Sequence, residues 1–321
     1  MYYVGIDLGG TNIAAGILDE SLKIVKKSSV PTGNTRHYSD IIKDMAMLVI
    51  QLLKETGISK NEVDSIGIGC PGTCDRENGV LLYTNNIKFD DVPMRLEMQK
   101  YLPLQVYLEN DANCAALGES MAGAARDVSD SITITLGTGI GGGIILNNKI
   151  YIGFNGMAGE IGHIVLNKQG EICTCGREGC WEAYASATAL IKQTRNAAQK
   201  YPESLINSLV NGDLNRIDAK TAFDAMRQGD SIGTSVVNEY IAYLGEGVSD
   251  LINIFQPSRI VIGGGISKEG DAILVPLREI ARKSTYFGEG DVPHTQIVEA
   301  QLGNDAGIVG AAMLGRAAGL I

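Results

Sequence analysis

At 321 residues the chain exceeds what one hydrophobic core usually serves, because cores stop growing near ~250–300 residues, so two domains are the starting expectation. A net charge of -10 with no Lys/Arg cluster argues against a nucleic-acid partner or attachment to an anionic membrane surface. With no apolar run near the ~18 residues of a membrane span and no charged-then-apolar leader, the composition reads as a cytoplasmic protein with reduced thiols and no membrane partner.

Residues 2–7, YYVGID, predict a buried strand that enters the Gly-rich turn Leu8-Gly9-Gly10-Thr11-Asn12. A second apolar run, IAAGIL, an acidic turn at Asp19-Glu20 and a third strand near 23–29 come next. In the loop Gly9, Gly10, Thr11 and Asn12 the glycines let backbone N–H groups approach a phosphate and Thr11 adds a hydroxyl. Asp7, at the mouth, can hold Mg²⁺ directly or through water. A plain hairpin with an acidic end residue is the alternative for this motif alone. Residues 37–56 carry Ile41, Ile42, Met45, Leu48 and Leu52 at helical spacing, with Ser39 as the expected N-cap and Gly57 past the end.

The run SIGIGCPGTCD, 65–75, predicts a strand entering a Gly-Pro-Gly turn, followed by a polar segment reaching Asn85-Asn86. Cys70 and Cys74 have the spacing of half a metal site, but no second His or Cys pair lies nearby, so they read as core and loop thiols. LQVYLE, 104–109, predicts a strand that gives way at Asn110-Asp111 to a helix from Ala112. An Asp there caps the helix and complements its dipole. Asn-Asp at the carboxyl end of a strand, where open α/β folds place ligands, also suits a site that orients a hydroxyl and accepts its proton.

The first pattern then recurs. SITITLGTGIGGGIILNNKIYI, 131–152, again reads strand, Gly/Thr loop, strand, tight turn, strand, which implies a duplicated fold. Gly137, Gly139 and Gly142 also satisfy G-x-G-x-x-G, but the dinucleotide fingerprint requires a helix directly after the loop, and a β-hairpin turning at Asn147-Asn148 stands here instead. The loop is therefore a second phosphate cradle, formed by Gly137, Thr138 and Gly139.

Within 160–182, EIGHIVLNKQGEICTCGREGCWE, His163, Cys173, Cys175 and Cys180 have the spacing His-x9-Cys-x-Cys-x4-Cys, with turns at Gly176 and Gly179. One imidazole and three thiolates form the closed tetrahedral set of a structural Zn²⁺ site. Free thiols beside an unrelated histidine are the alternative. Disulfides fit less well, since Cys173 and Cys175 are too close to bridge and nothing reads as secreted. Glu160 and Glu182 flank the cluster, so a metal that fixes the ligands also fixes both acids.

Helices are expected over 183–200, 217–229 and 231–254, the last ending before Gln256-Pro257. SRIVIGGGIS, 258–267, predicts a strand into a third Gly-rich turn, with Gly264 and Gly265 positioned to meet a nucleotide, and Asn304 is expected to cap a final helix over 305–319. The polar stretch 201–216 carries no signal. The expected division is a small N-terminal α/β domain, 1–118, joined by the C-terminal helix 304–321, and a larger α/β domain, 119–303, that contains the zinc-binding segment.

DLGGTN at 7–12, GCPG at 69–72, END at 109–111, LGTGIGGG at 136–143, EIGH at 160–163 and CTCGREGCWE at 173–182 resemble the ROK family of bacterial sugar kinases and sugar-responsive regulators, from the first strand to the last helix. The resemblance implies an α/β protein with the duplicated actin-like (ribonuclease H-like) ATPase fold and an interdomain cleft. It further implies transfer of the γ-phosphate of ATP to a hexose hydroxyl, with ATP, Mg²⁺ and structural Zn²⁺ as cofactors. On the same basis Asp111 is the general base, and Asn110, Asp111, Glu160, His163, Glu182 and Gly72 bind the sugar. His163 would then use one ring nitrogen on zinc and the other on the sugar. Phosphoryl transfer passes through a loose transition state, so positioning and charge neutralisation supply most of the catalysis.

The runs AGEIGH, GCWEAYAS and ENDAN are most similar to the glucose-phosphorylating members, so glucose to glucose 6-phosphate is the expected reaction. Fructose, allose and N-acetylmannosamine kinases of the family use nearly the same residues. Phe89, in NIKF at 86–89, stands where some glucose-phosphorylating members carry Trp, and a flexible loop at 85–91 is expected to relax discrimination among epimers. The family's repressors carry an N-terminal helix-turn-helix module; a first strand at Tyr2 and the charge of -10 favour the kinase over the regulator. An ATPase acting without sugar is disfavoured by the zinc-bordered Asn-Asp site. The resemblance suggests a homodimer or homotetramer.

Overall fold

The computed structural model describes residues 1–84 and 87–317. Asn85 and Asn86 of the expected loop at 85–91, and residues 318–321 of the expected C-terminal helix, lie outside the described residues.

In chain order the elements are β1 (Tyr2–Leu8), β2 (Asn12–Leu18), β3 (Ile24–Pro31), α1 (Tyr38–Thr56), β4 (Val63–Cys70), β5 (Thr73–Asp75), β6 (Val80–Tyr83), β7 (Asp90–Val92), α2 (Met94–Gln99), β8 (Gln105–Asn110) and α3 (Asp111–Ala122). Then come β9 (Ser131–Leu136), β10 (Ile140–Leu146), β11 (Lys149–Ile150), α4 (Glu182–Ala185), α5 (Ala187–Lys200), α6 (Leu205–Leu209), α7 (Thr221–Arg227) and α8 (Ser231–Phe255). The chain closes with β12 (Arg259–Gly264), α9 (Asp271–Ser284), β13 (Gln296–Glu299), α10 (Ala306–Ala312) and α11 (Leu314–Ala317).

Two five-stranded sheets share one topology. The first runs β3-β2-β1-β4-β8 and the second β11-β10-β9-β12-β13, each in the order third, second, first, fourth, fifth. In the first, β1–β3 form an antiparallel meander and β4 and β8 join in parallel. The duplication expected from the two Gly/Thr motifs is therefore a repeat of the whole sheet. The short strands β5, β6 and β7 make a third sheet.

Among the described residues, contacts group 1–133, 143–159 and 300–317 into one compact unit, and 134–142 with 160–299 into a second. The boundary expected at 118/119 falls inside α3, which belongs wholly to the first unit. Among the described residues no helix is long and apolar enough to cross a membrane.

Several predicted ends shift for local reasons. His37 rather than Ser39 caps α1, its ring nitrogen accepting the Ser39 N–H at 3.4 Å, while Gly57 closes the helix at φ 71° as expected. The helix expected at 183–200 breaks at Ser186, whose hydroxyl caps α5 by accepting the Ala189 N–H. The helix expected from 217 begins at Thr221, because Asp218 ties its carboxylate to the N–H groups of Lys220 and Thr221. The final helix is preceded by a 3-10 turn, Gly303–Asp305, and is interrupted at Met313.

The first unit closes because α10 lies directly on the sheet. Gly16, Gly5 and Gly67 sit side by side across β2, β1 and β4. A Cβ at Gly5 would come 1.9 Å from the Ile308 carbonyl oxygen, and one at Gly67 would come 1.7 Å from that of Ala311. This row of absent side chains lets helix backbone touch strand backbone and buries Ile308, Val309 and Ala312 against Cys114 and Leu117. Gly67→Ala is expected to lower the free energy of unfolding by about 3 kcal/mol or more, since an overpacked backbone contact cannot relax by side-chain rotation. Urea unfolding tests this, and an unchanged midpoint would contradict the account of the row.

Candidate active site

In the first unit β1 delivers Asp7 to its end, paired in register with Ala14 and Gly69. The turn beyond it is held from one side by Thr32. The Thr32 hydroxyl donates to the Gly9 carbonyl at 2.6 Å and its N–H to the Thr11 carbonyl at 2.8 Å, while the Gly9 N–H closes the turn on the Asn12 carbonyl at 3.0 Å. With the carbonyls of Gly9 and Thr11 turned toward Thr32, Gly10 and Thr11 form the tip. Thr32 is wholly buried, and its place one residue after β3 carries no sequence signal for this role.

Burial, and secondarily the negative charge of Asp111, push the Asp7 carboxyl from 3.8 up to about 6. The structure thus brings the two candidate acids of this unit within electrostatic reach. A cation such as Mg²⁺ would relieve both effects, since it favours the charged form.

Asp111 stands at the first position of α3, and Asn110 caps that helix with its Oδ1, accepting the N–H groups of Ala112 and Asn113. The cap is therefore Asn110 rather than the aspartate, and Asp111 lies in the first turn. Asn110 Nδ2 donates to the Gly72 carbonyl at 3.3 Å, which ties the GCPG turn to the END turn, and Asp111 Oδ1 accepts the Ala112 N–H at 2.9 Å. Glu109, only 1% exposed, receives a bidentate Arg76 guanidinium. The sequence gives no sign of this pair, because an arginine just after a three-residue strand carries no motif.

In the second unit the loop Gly137–Gly139 is bound by its carbonyls. The Ala187 N–H donates to the Gly137 carbonyl at 2.9 Å, and the Thr188 hydroxyl to that of Thr138 at 2.7 Å, so the N-terminal end of α5 abuts the loop. Gly264, at φ 88°, sets its backbone against Leu136, which brings the second and third Gly-rich turns together, with Gly265 next in sequence. A strand succeeds the loop directly, in keeping with rejection of a dinucleotide site.

Glu182 links the loop to the cysteines. One oxygen accepts the Ile140 N–H at 2.9 Å and the other the Thr174 hydroxyl at 2.9 Å. A Cβ at Gly139 would meet Glu182 Oε2 at 2.2 Å, so a side chain there would have to displace this carboxylate. Glu160 is exposed and immediately precedes the 3-10 turn Ile161–His163.

His163, Cys173, Cys175 and Cys180 converge, with one ligand atom from each within 4.8 Å of the others. Cys173 Sγ lies 3.6 Å from His163 Nδ1, and Cys175 Sγ lies 3.7 Å from Cys180 Sγ. Zn–S bonds of about 2.3 Å and a Zn–N bond of about 2.0 Å in a tetrahedron place ligand atoms roughly 3.5–3.8 Å apart, so the four residues fit zinc. The turns at Gly176 and Gly179 have φ of 85° and 79°. The chain's one tryptophan, Trp181, is fully buried beside the cluster and donates its indole N–H to the Tyr243 carbonyl on α8 at 2.9 Å. Burial raises the Cys180 thiol to about 12, whereas the backbone N–H of Arg177 holds Cys175 below its usual value.

The duplicated sheets, each with a Gly/Thr turn after its first strand, constitute the actin-like ATPase fold. A crystal structure of a ROK family glucokinase from Streptomyces griseus in complex with glucose and AMPPNP superposes with a TM-score of 0.84 at 38% identity, covering 98% of this chain and 99% of that one. The glucokinase of Thermotoga maritima is 38% identical over 312 residues, 97% of this chain and 96% of its own. That of Streptomyces coelicolor is 38% identical over 315 residues, 98% of this chain and 97% of its own. Residues 3–318 match the ROK family, and the chain belongs to it.

Asp7 also makes a prediction about stability. Its folded value lies above its unfolded value, so the native state holds the proton more tightly, and stability falls as pH rises from about 4 through about 6. At neutral pH the buried carboxylate costs about 3 kcal/mol. Asp7→Asn should therefore raise the unfolding free energy at pH 7 and leave it nearly unchanged at pH 4 in metal-free buffer. Equal effects at both pH values would remove the buried-carboxylate explanation.

Proposed function

We propose that this chain transfers the γ-phosphoryl group of ATP to a hydroxyl of glucose, giving glucose 6-phosphate. The observation that carries the proposal is the END turn itself: a carboxylate at the first position of α3, beside a hydrogen-bonding Asn110, in a chain 38% identical to two glucokinases over nearly its whole length. Asp111 is the general base for the attacking hydroxyl, a role that contributes about 10²–10⁴-fold to the rate. Asn110, Gly72, Glu160, His163 and Glu182 bind the sugar. The turns Gly9–Asn12, Gly137–Gly139 and Gly264–Gly265 receive the nucleotide, and Asp7 holds Mg²⁺.

Zinc at His163, Cys173, Cys175 and Cys180 is structural on this reading. It leaves His163 Nε2 available to a sugar hydroxyl, because Nδ1 is the nitrogen that faces Cys173. When bound, the ion supplies a fixed tetrahedral anchor for the segment that carries Glu160 and Glu182. All six cysteines are free thiols, in keeping with a reducing cytoplasmic setting. The family resemblance supports a homodimer or homotetramer.

ADP release with Mg²⁺-ATP, measured against glucose, mannose, fructose, allose and N-acetylmannosamine with a no-sugar blank, tests the reaction. Glucose is expected to stimulate turnover most, and Asp111→Ala to reduce that turnover at least ~100-fold while glucose still binds. Turnover stimulated only by another hexose would replace glucose as substrate, and an active Asp111→Ala would remove the base. Elemental analysis should find one zinc per chain, and Cys175→Ser should lose it together with sugar affinity. A metal-free but fully active wild type would sink the zinc assignment.

A further inference from the structure

Glu109 is a nearly inaccessible carboxylate that sits one residue before Asn110 and two before Asp111. Its oxygens accept from Arg76 Nε at 2.6 Å, Arg76 Nη2 at 2.5 Å, the Asn110 N–H at 2.7 Å and Asn113 Nδ2 at 3.0 Å. One of these donors is the backbone N–H of the capping residue itself, and another is the side-chain amide of Asn113 in the first turn of α3. The carboxylate thus holds both the residue that caps α3 and a side chain of its first turn, on either side of Asp111.

The guanidinium that meets Glu109 there belongs to Arg76, in the turn of the β5–β6 hairpin. Its side chain is 19% exposed, against 1% for Glu109. Arg76 is itself held. The Arg95 guanidinium donates to its carbonyl at 2.9 Å. Its own Nη1 and Nη2 also donate to the Gly156 carbonyl at 3.3 and 3.4 Å. Gly156 lies in the stretch that ends at Glu160. At φ 79°, and with a hypothetical Cβ 2.4 Å from Arg76 Nη1, that position admits only glycine beside the guanidinium. A planar fork is required for this set of contacts, since it must satisfy both oxygens of one carboxylate and still present an N–H edge to a carbonyl. Lysine supplies the charge without the fork.

We infer that Arg76 is a positioning residue for phosphoryl transfer, clamping the END turn through Glu109 and the 153–159 segment through the Gly156 carbonyl, so that Asp111 is held in the geometry a general base needs. The inference rests on the reading of Asp111 as base. A buried pair of this kind is a weak source of net stability, and its value lies in fixing one arrangement. Displacement of a reacting group by an ångström can cost about 100-fold in rate.

The test compares wild type, Arg76→Lys, Arg76→Ala with and without added guanidinium, and the double variant Arg76→Met/Glu109→Gln, which leaves no uncompensated buried charge. Each is assayed for kcat and for KM toward sugar and ATP, with thermal unfolding as the control for folding. The expected result is a kcat lowered about 10- to 100-fold in Arg76→Lys and in the double variant, with melting temperatures near wild type and KM for ATP within about twofold. Guanidinium should restore part of kcat in Arg76→Ala. Wild-type kcat in a folded Arg76→Lys or double variant would overturn the inference while leaving the kinase reading intact. A wild-type protein with no sugar-dependent ADP release would overturn both.

Discussion

Three sulfurs and an imidazole nitrogen gathered within 4.8 Å are the constraint on which the second unit's site depends. Burial pushes Cys180 up to about 12 while the exposed Cys175 is held below its usual value, and a divalent cation favours the thiolate at each. The effect of the cluster on its neighbours is mechanical. Thr174, between two of the sulfurs in sequence, reaches Glu182, and Glu182 grips the Ile140 N–H at the end of the Gly137–Gly139 loop. A metal in the cluster would therefore brace both an acid and the glycine turn without taking part in bond making. Buried Trp181 anchors the same segment to α8.

The first unit meets an equivalent demand with charge instead of metal. Glu109 and Arg76 hold the turn that carries Asp111, and Asp7 is kept nearby in a setting that disfavours its ionised form. Local destabilisation of this kind is typical of functional positions and persists because the surrounding structure over-determines it. The surrounding structure here is the sheet on which α10 rests. Its glycine row allows helix and strand backbones to meet, and buried Glu119 adds to the closure by accepting the N–H groups of Gln301 and Leu302 just before that helix. Fold stability and site geometry are thus supplied by different residues in the same unit.

Most of the fold was legible wherever period and punctuation agree. The meander around Asp7, its repeat after residue 131, the hairpin turn at Asn147-Asn148 with both residues at positive φ, and the long α8 all carry strong local signals. The convergence of His163 with the three cysteines was readable because metal ligands fix both residue type and spacing. Less was readable where a tertiary partner decides. Helix α9 contains Pro276 in its interior, and the short strands β6, β7 and β13 depend on pairing partners that no local pattern reveals. The roles of Thr32, Arg76 and Glu109 were invisible for the same reason: Thr32 acts on a turn 21 to 23 residues away, and Arg76 and Glu109 meet across 33 residues. Glycines were read as phosphate-loop residues in three turns, but Gly5, Gly16 and Gly67 serve helix packing, a distinction that only the contact can make.

Crystals grown with glucose and measured on both sides of the zinc absorption edge would show whether the cysteine cluster orients His163 toward the sugar. The account predicts one anomalous peak about 2.3 Å from the sulfurs of Cys173, Cys175 and Cys180 and about 2.0 Å from His163 Nδ1, with a glucose hydroxyl hydrogen-bonded to Nε2. No zinc signal at the cluster, or a metal on Nε2 with the sugar bound elsewhere, would contradict it.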